Sequence, residues 1–251
     1  MSRRKASHAS SWRQYRDDLL SRREGEVSFQ VVVEETDLWI VAREDLRREA
    51  SDLVHELRGA IKAYIALHPE FLTSLVPLEA PAGVHPLIRS MIEAGAACRV
   101  GPMAAVAGAV AQGVAEGLAP RTPEVLVENG GDLYLVSTTA RTVALLSDPA
   151  SGAGLGLRLA PEDFPVSLCA SSARIGRSLS LGRGDLVAVR SPDAATADAA
   201  ATALGNILKD RRDLGRVTAQ AQAWAGIGVD GVFAQMGGDI AVWGKMELQA
   251  I

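Results

Sequence analysis

Two repeating patterns of apolar residues run along the chain and predict helices and strands in turn. From residue 46 to residue 65, apolar side chains recur every three or four positions, which is typical of a long amphipathic helix that ends at Pro69. Short apolar runs bounded by turn residues indicate strands instead. The predicted strands occupy residues 27–34, 38–41, 124–128, 132–137, 142–147, 154–159, 166–170 and 185–190. The first two form a predicted hairpin, with Thr36 and Asp37 near its turn.

The other predicted helices are rich in small residues. They are a short helix over residues 87–94, a second over residues 101–118, a third over residues 192–209 and a fourth that reaches Trp224, before a closing hairpin over residues 231–247. Pro102 is well placed, because a proline in the first turn of a helix costs no hydrogen bond. Since pairs of strands alternate with pairs of helices, the order favours an α+β fold with antiparallel sheets over a doubly wound parallel sheet.

Composition narrows the class of protein. With 251 residues, of which 48% are hydrophobic, the chain has enough apolar material for one large domain. We expect a flexible basic tail over residues 1–11 and a single domain over residues 12–251. Aromatic residues make up only 4%, so alanine, valine and leucine must build the core. A net charge of −4 argues against nucleic acid as the main partner.

The sequence favours a cytoplasmic protein that does not enter a membrane. The basic N-terminal residues precede no apolar run, unlike a secretory signal, and Cys98 and Cys169 are too few for a disulfide framework. The longest apolar stretch, residues 100–118, contains Gln112 and Glu116 and much alanine and glycine, so we interpret it as a buried helix. A homodimer stays open, because small-residue helices and hairpin edges often pair.

Residues 128–136, Glu-Asn-Gly-Gly-Asp-Leu-Tyr-Leu-Val, are the most informative stretch of the chain. In the turn between two apolar runs, Gly130 and Gly131 can adopt positive φ without steric cost. Such a turn brings bare backbone N–H groups close to a ligand and places Asn129 and Asp132 at its rim. Asn-Gly is also the strongest short hairpin signal, so an ordinary hairpin is the alternative.

A second candidate lies in the helix that contains Ala197-Asp198-Ala-Ala-Ala-Thr202. Residues four apart lie on one face of a helix, so the carboxylate of Asp198 and the hydroxyl of Thr202 can converge on one point. Two oxygen donors suit a hard cation such as Mg²⁺ better than zinc or copper. The alternative is structural, since Asp near a helix start favours the helix dipole and Thr can bond its own i−4 carbonyl.

The segment over residues 169–182 is polar, glycine-containing and basic. A phosphate-binding loop would use its hydroxyls at Ser171 and Ser172, its exposed amides and its arginines, including Arg177. An ordinary solvated connection fits almost as well. Cys169 is either a reactive thiol beside one of these arginines or an inert buried residue.

Together these pieces resemble the ApbE-like superfamily, and within it a cytoplasmic branch found in archaea and anaerobic bacteria. The resemblance covers nearly the whole chain after the tail. The segments that carry it are Glu35-Thr-Asp-Leu38, His68-Pro-Glu-Phe71, Val100-Gly-Pro-Met-Ala-Ala-Val-Ala-Gly108, Val127-Glu-Asn-Gly-Gly-Asp132, Ser178-Leu-Ser-Leu-Gly182 and Ala197-Asp-Ala-Ala-Ala-Thr202.

The resemblance implies a T-fold-like α+β architecture with a flavin nucleotide and Mg²⁺ as ligands. Typical members bind FAD, split its pyrophosphate and join FMN to a protein threonine through a phosphodiester. In them a Gly-Gly-Asp turn lines the flavin site, and the Asp and Thr of an Ala-Asp-Ala-x-x-Thr helix hold the metal. These roles fall here on Gly130, Gly131 and Asp132, and on Asp198 and Thr202. The other expected cofactor-binding residues are Met103, Asn129, Ser171, Ser172 and Arg177, and the catalytic candidates are Asp198 and Cys169.

The chain departs from the transferases of the superfamily at two motifs. It has Arg-Ser-Leu-Ser-Leu-Gly over residues 177–182 where they carry a His-Ile-Asp-Pro-like segment, and Gly101-Pro102-Met103 replaces their lysine-glycine motif. The branch has also been associated with sulfur assimilation into homocysteine in methanogens. Two other functions therefore stay open. One is an accessory protein of sulfur metabolism with a protein partner, in which Cys169 would act, and the other is a binding module without transferase activity.

Overall fold

The computed structural model describes residues 23–145, 154–172 and 184–251. Its strands are β1 (Val27–Val33), β2 (Thr36–Ala42), β3 (Val125–Asn129), β4 (Asp132–Val136), β5 (Arg141–Leu145), β6 (Leu155–Leu159), β7 (Val166–Ser171), β8 (Leu186–Ser191), β9 (Gly231–Met236), β10 (Asp239–Gly244) and β11 (Glu247–Ala250). Its helices are α1 (Arg47–Leu67), α2 (Glu70–Thr73), α3 (Pro86–Cys98), α4 (Val106–Leu118), α5 (Ala194–Ile207) and α6 (Leu214–Ala223), with 3-10 turns at Pro102–Ala105, Pro161–Asp163, Arg211–Asp213 and Ala225–Ile227. The predicted tail, residues 1–11, lies outside the described residues.

The strands form two antiparallel sheets in the described part of the chain, which confirms the predicted α+β class. The large sheet has the order β1-β2-β3-β4-β7-β8-β9-β10, and the small sheet has the order β11-β6-β5. Each half of the large sheet consists of a hairpin, a set of helices and a second hairpin. The first half runs from β1 to β4 and contains α1 to α4, and the second runs from β7 to β10 and contains α5 and α6.

The central strands of the large sheet are buried on both faces, because the helices cover one face and the small sheet covers the other, whereas the edge strands β1 and β10 are partly exposed. Adjacent residues of a strand point to opposite faces. Ile40 and Val127 accordingly lie in the core under the helices, whereas Val41 and Leu126 lie in the core between the two sheets. This double burial holds the ends of β3 and β4 firmly beside the helix layer.

The small residues of α4 and α5 let the two helices pack closely on each other and on the sheet. The buried residues of α5 include Ala194, Ala195, Ala197, Ala199, Ala200, Ala201 and Ala203. The predicted buried helix over residues 100–118 is a 3-10 turn followed by α4, most of whose residues are buried. Among the described residues no single helix passes as a membrane span, and only α3 and the Pro102–Leu118 segment pass together, across a bend of 106°.

The bounds of two predicted hairpins differ from those in the structure. The β1–β2 turn lies at Glu34 and Glu35, where Glu34 has a φ of 53°, and Thr36 and Asp37 already belong to β2. The closing hairpin ends at Gly244, and the last residues form β11, which pairs with β6 in the small sheet. Neither feature has a local sequence signal, because one depends on contacts with α1 and the other on a distant strand.

Candidate functional site

The turn between β3 and β4 is a two-residue hairpin that also contacts the helix layer. Asn129 is paired with Asp132, and Gly130 and Gly131 have φ values of 68° and 110°. Positive φ at both central positions is the geometry that matches the twist of a hairpin and favours glycine. The Asn129 Nδ2 atom donates a hydrogen bond of 3.0 Å to the Ala107 carbonyl, which ties the turn to the start of α4.

Asp132 points from this turn into the protein. Its side chain is buried, and its Oδ1 atom accepts a hydrogen bond of 3.2 Å from the backbone N–H of Ala170. Burial, and after it the charge of Asp198, raises the pKa of Asp132 well above its usual value. The Gly-Gly-Asp turn and the Asp-containing helix, which are distant in sequence, therefore lie near each other in the fold.

Asp198 and Thr202 lie one turn apart on α5 and line a cavity of about 400 Å³ at the start of α4. The Asp198 Oδ2 atom accepts a hydrogen bond of 2.9 Å from the backbone N–H of Gly108. Burial raises the pKa of Asp198 to about 7, although hydrogen bonds from the N–H groups of Gly108 and Ala107 act in the opposite direction. The sequence prediction that these two side chains share one face of a helix is therefore consistent with the structure.

The donor set of this cavity fits a hard cation that also binds a phosphate. No group of three or more His, Cys, Asp or Glu side chains forms a complete metal site in the described part of the chain. Mg²⁺, however, is usually held by one or two carboxylates, substrate phosphates and water. Asp198 and Thr202 supply oxygen donors, and Asp132 adds a second carboxylate nearby. A divalent cation here would favour the ionised form of both carboxyl groups.

Cys169 lies beside these carboxylates but is fully buried. Its Sγ atom is 3.3 Å from Ser167 Oγ and 3.7 Å from the Ala194 carbonyl oxygen. Burial, followed by the charges of Asp132 and Asp198, raises the pKa of Cys169 well above its usual value. Reactive cysteines are accessible and have a lowered pKa, so this environment matches the inert alternative and not the predicted nucleophile.

A second, mostly apolar cleft of about 680 Å³ adjoins the carboxylate cavity. Leu72, Met103, Val106 and Ala107 line both spaces, and Asn129 lines the cleft. Ligand sites commonly have such volumes and combine an apolar wall with a few polar groups. The other apolar residues of the cleft are Ile61, Ile65, Ala66 and Val110. Of the expected cofactor-binding residues, Met103 therefore lies at the junction of the two spaces and Asn129 lies in the cleft.

Charged residues at the rim of this cleft were not singled out from the sequence. Arg58 donates a hydrogen bond of 2.8 Å to Thr36 Oγ1 and forms ion pairs with Glu34 and Glu35. Lys62 Nζ lies 2.9 Å from a carboxylate oxygen of Glu34. Arg58 and Lys62 are four residues apart on α1, which is the only local sign that they share a face. This network joins the β1–β2 turn to α1 at the mouth of the cleft.

Asn206 is a third polar residue of α5 that lines the carboxylate cavity. The sequence carried a signal for it, because Asp198, Thr202 and Asn206 recur every four positions along a helix of small residues. Extending the i, i+4 pattern by one further turn would have found it.

The predicted phosphate-binding loop is described only at its start. Ser171 is the last residue of β7, and the Ser172 hydroxyl donates a hydrogen bond of 2.6 Å to the Asp185 carbonyl. Neither serine lines the cleft or the carboxylate cavity. Arg177 lies outside the described residues, and its role stays a prediction.

Several sequence relatives of the chain come from methanogens. A UPF0280 protein of Methanocella arvoryzae is 39% identical over 179 residues, which are 71% of this chain and 73% of that protein. The UPF0280 protein MmarC5_0355 of Methanococcus maripaludis is 35% identical over 222 residues, or 86% of this chain and 90% of that protein. The UPF0280 protein of Methanosarcina acetivorans is 31% identical, with 84% of each chain covered.

Solved structures share the fold at low sequence identity. The flavin transferase ApbE from Vibrio cholerae superposes with a TM-score of 0.57 at 12% identity, over 88% of this chain and 97% of that chain. The ApbE protein from Thermotoga maritima has a TM-score of 0.57 at 13% identity, over 86% of this chain and 96% of that chain. A family model described as "AbpE bacteria" matches residues 18–226. By this match and its UPF0280 relatives, the chain belongs to the AbpE bacteria family of ApbE-like proteins.

Proposed function

We propose that this protein binds a flavin nucleotide, FAD or FMN, together with Mg²⁺. The phosphates occupy the cavity at Asp198 and Thr202, and the ring system occupies the adjoining apolar cleft. One observation carries the proposal: Asp198 and Thr202 line a cavity that adjoins an apolar cleft of suitable size, and Asn129 of the Gly-Gly-Asp turn lines that cleft.

In this proposal each group has a role that follows from its chemistry. Asp198 and Thr202 hold the cation, and Asp132 adds negative charge nearby. When bound, Mg²⁺ neutralises charge on the phosphate oxygens. Met103 packs against the ring system, and Asn129 supports it from the turn while its amide stays bonded to Ala107.

The proposed reaction is transfer of FMN from FAD to a hydroxyl group of an acceptor. The hydroxyl oxygen forms a bond to the phosphorus of the FMN moiety, the pyrophosphate bond breaks, AMP leaves and the hydroxyl proton is released. Such phosphoryl transfer depends mainly on positioning and on charge stabilisation, which a carboxylate and hydroxyl cavity with a cation provides. The shared fold with the flavin transferase of Vibrio cholerae supports this choice of reaction.

The sulfur-metabolism alternative draws no support from the described residues. Its persulfide form requires an accessible Cys169, and that thiol is buried with a raised pKa. We therefore do not propose a persulfide or thiol-transfer role.

The test is a set of equilibrium titrations with FAD, FMN, riboflavin and AMP, each with Mg²⁺ and with EDTA. We expect FAD and FMN to bind at least about tenfold more weakly in EDTA, because their phosphates bind through the cation. Riboflavin lacks the phosphate and should bind weakly and independently of Mg²⁺. Failure of all flavins to bind, or equal affinity in both buffers, would refute the proposal. FAD that binds with Mg²⁺ but is never cleaved in the presence of acceptor peptides would restrict it to binding.

A further inference from the structure

The helices α4 and α5 touch at Gly108 with no room for a side chain. A Cβ atom at this position would lie 2.3 Å from the Ala194 carbonyl oxygen and 2.9 Å from the Cβ atom of Asp198. Contacts this short with backbone atoms cannot be relieved by turning a side chain. The backbone of α4 therefore approaches α5 as closely as it does only because residue 108 is glycine.

This close approach has a specific result at the carboxylate. The first N–H groups of a helix have no partner within the helix, and α4 begins at Val106. The Gly108 N–H donates to Asp198 Oδ2 at 2.9 Å, and a hydrogen bond from the Ala107 N–H also lowers the pKa of Asp198. Asp198 thus caps the start of α4 from the neighbouring helix.

The start of α4 is also joined to the hairpin turn. Asn129 donates to the Ala107 carbonyl, so the residue whose N–H acts on Asp198 also receives a hydrogen bond from the Gly-Gly-Asp turn. The orientation of Asp198 is therefore set by α4 and the turn, and not by α5 alone.

We propose that Gly108 is a positioning residue of the cation site. It lets the N-terminus of α4 hold the Asp198 carboxylate where it faces the cavity with Thr202. This inference rests on the proposed function, because it concerns the affinity of that cavity for a divalent cation. Gly108 contacts no ligand in this role and acts only through Asp198.

Two other glycines of α4 provide matched controls. A Cβ atom at Gly113 would lie 3.0 Å from the Leu57 Cδ1 atom, and a Cβ atom at Gly117 would lie 2.7 Å from the Leu53 Cδ1 atom. Both neighbours are ends of flexible side chains on α1, which can move aside. The three substitutions to alanine therefore raise helix propensity equally but differ in whether they displace Asp198.

The experiment measures Mn²⁺ affinity by electron paramagnetic resonance, with Mn²⁺ as a probe for the Mg²⁺ site. We expect Gly108→Ala to bind Mn²⁺ at least about tenfold more weakly than wild type, and Gly113→Ala and Gly117→Ala to remain within about twofold. In an Asp198→Asn background, Gly108→Ala should cause no further loss, because the residue through which it acts is already changed. A purely structural role would instead weaken binding equally in both backgrounds.

A second measurement keeps the proposal testable if Gly108→Ala does not fold. With Gly108 unchanged, Asp198→Ala should speed hydrogen–deuterium exchange of the peptide that contains the Ala107 and Gly108 amides. Thr202→Ala should leave this exchange unchanged. If wild type binds Mn²⁺, either of two results would overturn the positioning role. One is unchanged Mn²⁺ affinity in Gly108→Ala, and the other is unchanged exchange in Asp198→Ala. Wild-type protein that binds neither Mn²⁺ nor FAD would refute the proposed function and the positioning role together.

Discussion

Single residues of the site differ in how far the sequence could predict them. Asp198 and Thr202 could be paired, because residues four apart on a helix share a face. The inward position of Asp132 could not be predicted, because an Asp that follows a Gly-Gly turn can as easily point into solvent. Gly108 gave no local signal and Arg58 gave only its four-residue spacing from Lys62, since each acts through a residue that only the fold brings near. Local spacing thus predicts the ligand candidates, and packing between elements decides their orientation.

We expect Asp198→Asn to stabilise the metal-free protein at pH 8. The substitution removes a carboxylate whose ionised form is disfavoured by burial, and Asn can still accept the hydrogen bond from Gly108. The free energy of unfolding should rise by about 1–3 kcal/mol, measured by urea unfolding in EDTA. Asp193→Asn is the control, because Asp193 caps α5 through Thr196 and Asn caps as well as Asp. A loss of stability in Asp198→Asn would argue against a cost of burying the ionised carboxylate at this site.

Met103→Ala should weaken FAD binding without affecting the cation. Met103 lies where the cleft and the carboxylate cavity join, and truncating it removes apolar contact with the ring system. We expect an affinity for FAD about five- to tenfold lower in Mg²⁺, with Mn²⁺ affinity within about twofold of wild type. Met236→Ala, which lies at the end of β9, serves as control. Equal loss of FAD and Mn²⁺ binding in Met103→Ala would indicate general damage and contradict the assignment of the cleft.

Among the elements, the two Gly-Gly-Asp hairpins show that a motif makes a site only in the right surroundings. The β3–β4 and β9–β10 turns occupy corresponding places in the two halves of the large sheet. Asp132 is buried and coupled to Asp198, whereas the Asp239 side chain is 55% exposed and lies 3.7 Å from Arg211 in a surface ion pair. The turn sequence is the same, and the β3–β4 turn differs in being tied to α4 by the hydrogen bond from Asn129 to Ala107.

The glycines of the β3–β4 turn should differ in tolerance. Gly131 has a φ of 110°, outside the left-handed region that other residues can adopt, whereas Gly130 at 68° lies inside it. We expect Gly131→Ala to lower the free energy of unfolding by about 1–3 kcal/mol and to weaken FAD binding, because the turn must shift. Gly130→Asn should cost less than about 0.5 kcal/mol, since Asn tolerates this conformation. Equal stability of the two variants by urea unfolding would contradict the turn geometry.

Long elements were predicted better than short ones for a physical reason. The α1 pattern repeats over many turns, so one misplaced residue does not obscure it. The β1–β2 turn was misplaced because Glu34 adopts positive φ without being Gly or Asn, next to Arg58 and Lys62. The four residues of β11 are too few to show a period, and their pairing with β6 is decided by the fold.

For the molecule as a whole, a buried ionic cluster joins the two sheets. Arg141 opens β5 of the small sheet and pairs with Glu26, just before β1, and with Glu124, just before β3, at 2.6 Å. The three side chains are at most 3% exposed. Burial alone would raise the pKa of Glu124, but hydrogen bonds from Ser137, Thr138 and Arg141 outweigh it and lower the pKa to about 2.

This cluster predicts a loss of stability in acid. Because folding lowers the pKa of Glu124 from 4.5 to about 2, its contribution is complete above about pH 4.5 and disappears as the pH falls towards 2. Glu124→Gln should cost about 3 kcal/mol at pH 7 and flatten the dependence of unfolding free energy on pH in this window. Glu247→Gln, which breaks an exposed pair with Arg158, is the control and should change little. An unchanged slope in Glu124→Gln would contradict this assignment.

In the proposed function, a flavin nucleotide binds through a divalent cation held by Asp198. Calorimetric titration of wild type and Asp198→Asn with FAD, each in Mg²⁺ and in EDTA, tests this dependence. We expect wild type to bind FAD at least about tenfold more tightly in Mg²⁺ than in EDTA, and Asp198→Asn to bind with the same weak affinity in both buffers. FAD affinity that is independent of Mg²⁺ in wild type, or Mg²⁺ dependence that survives in Asp198→Asn, would contradict the account.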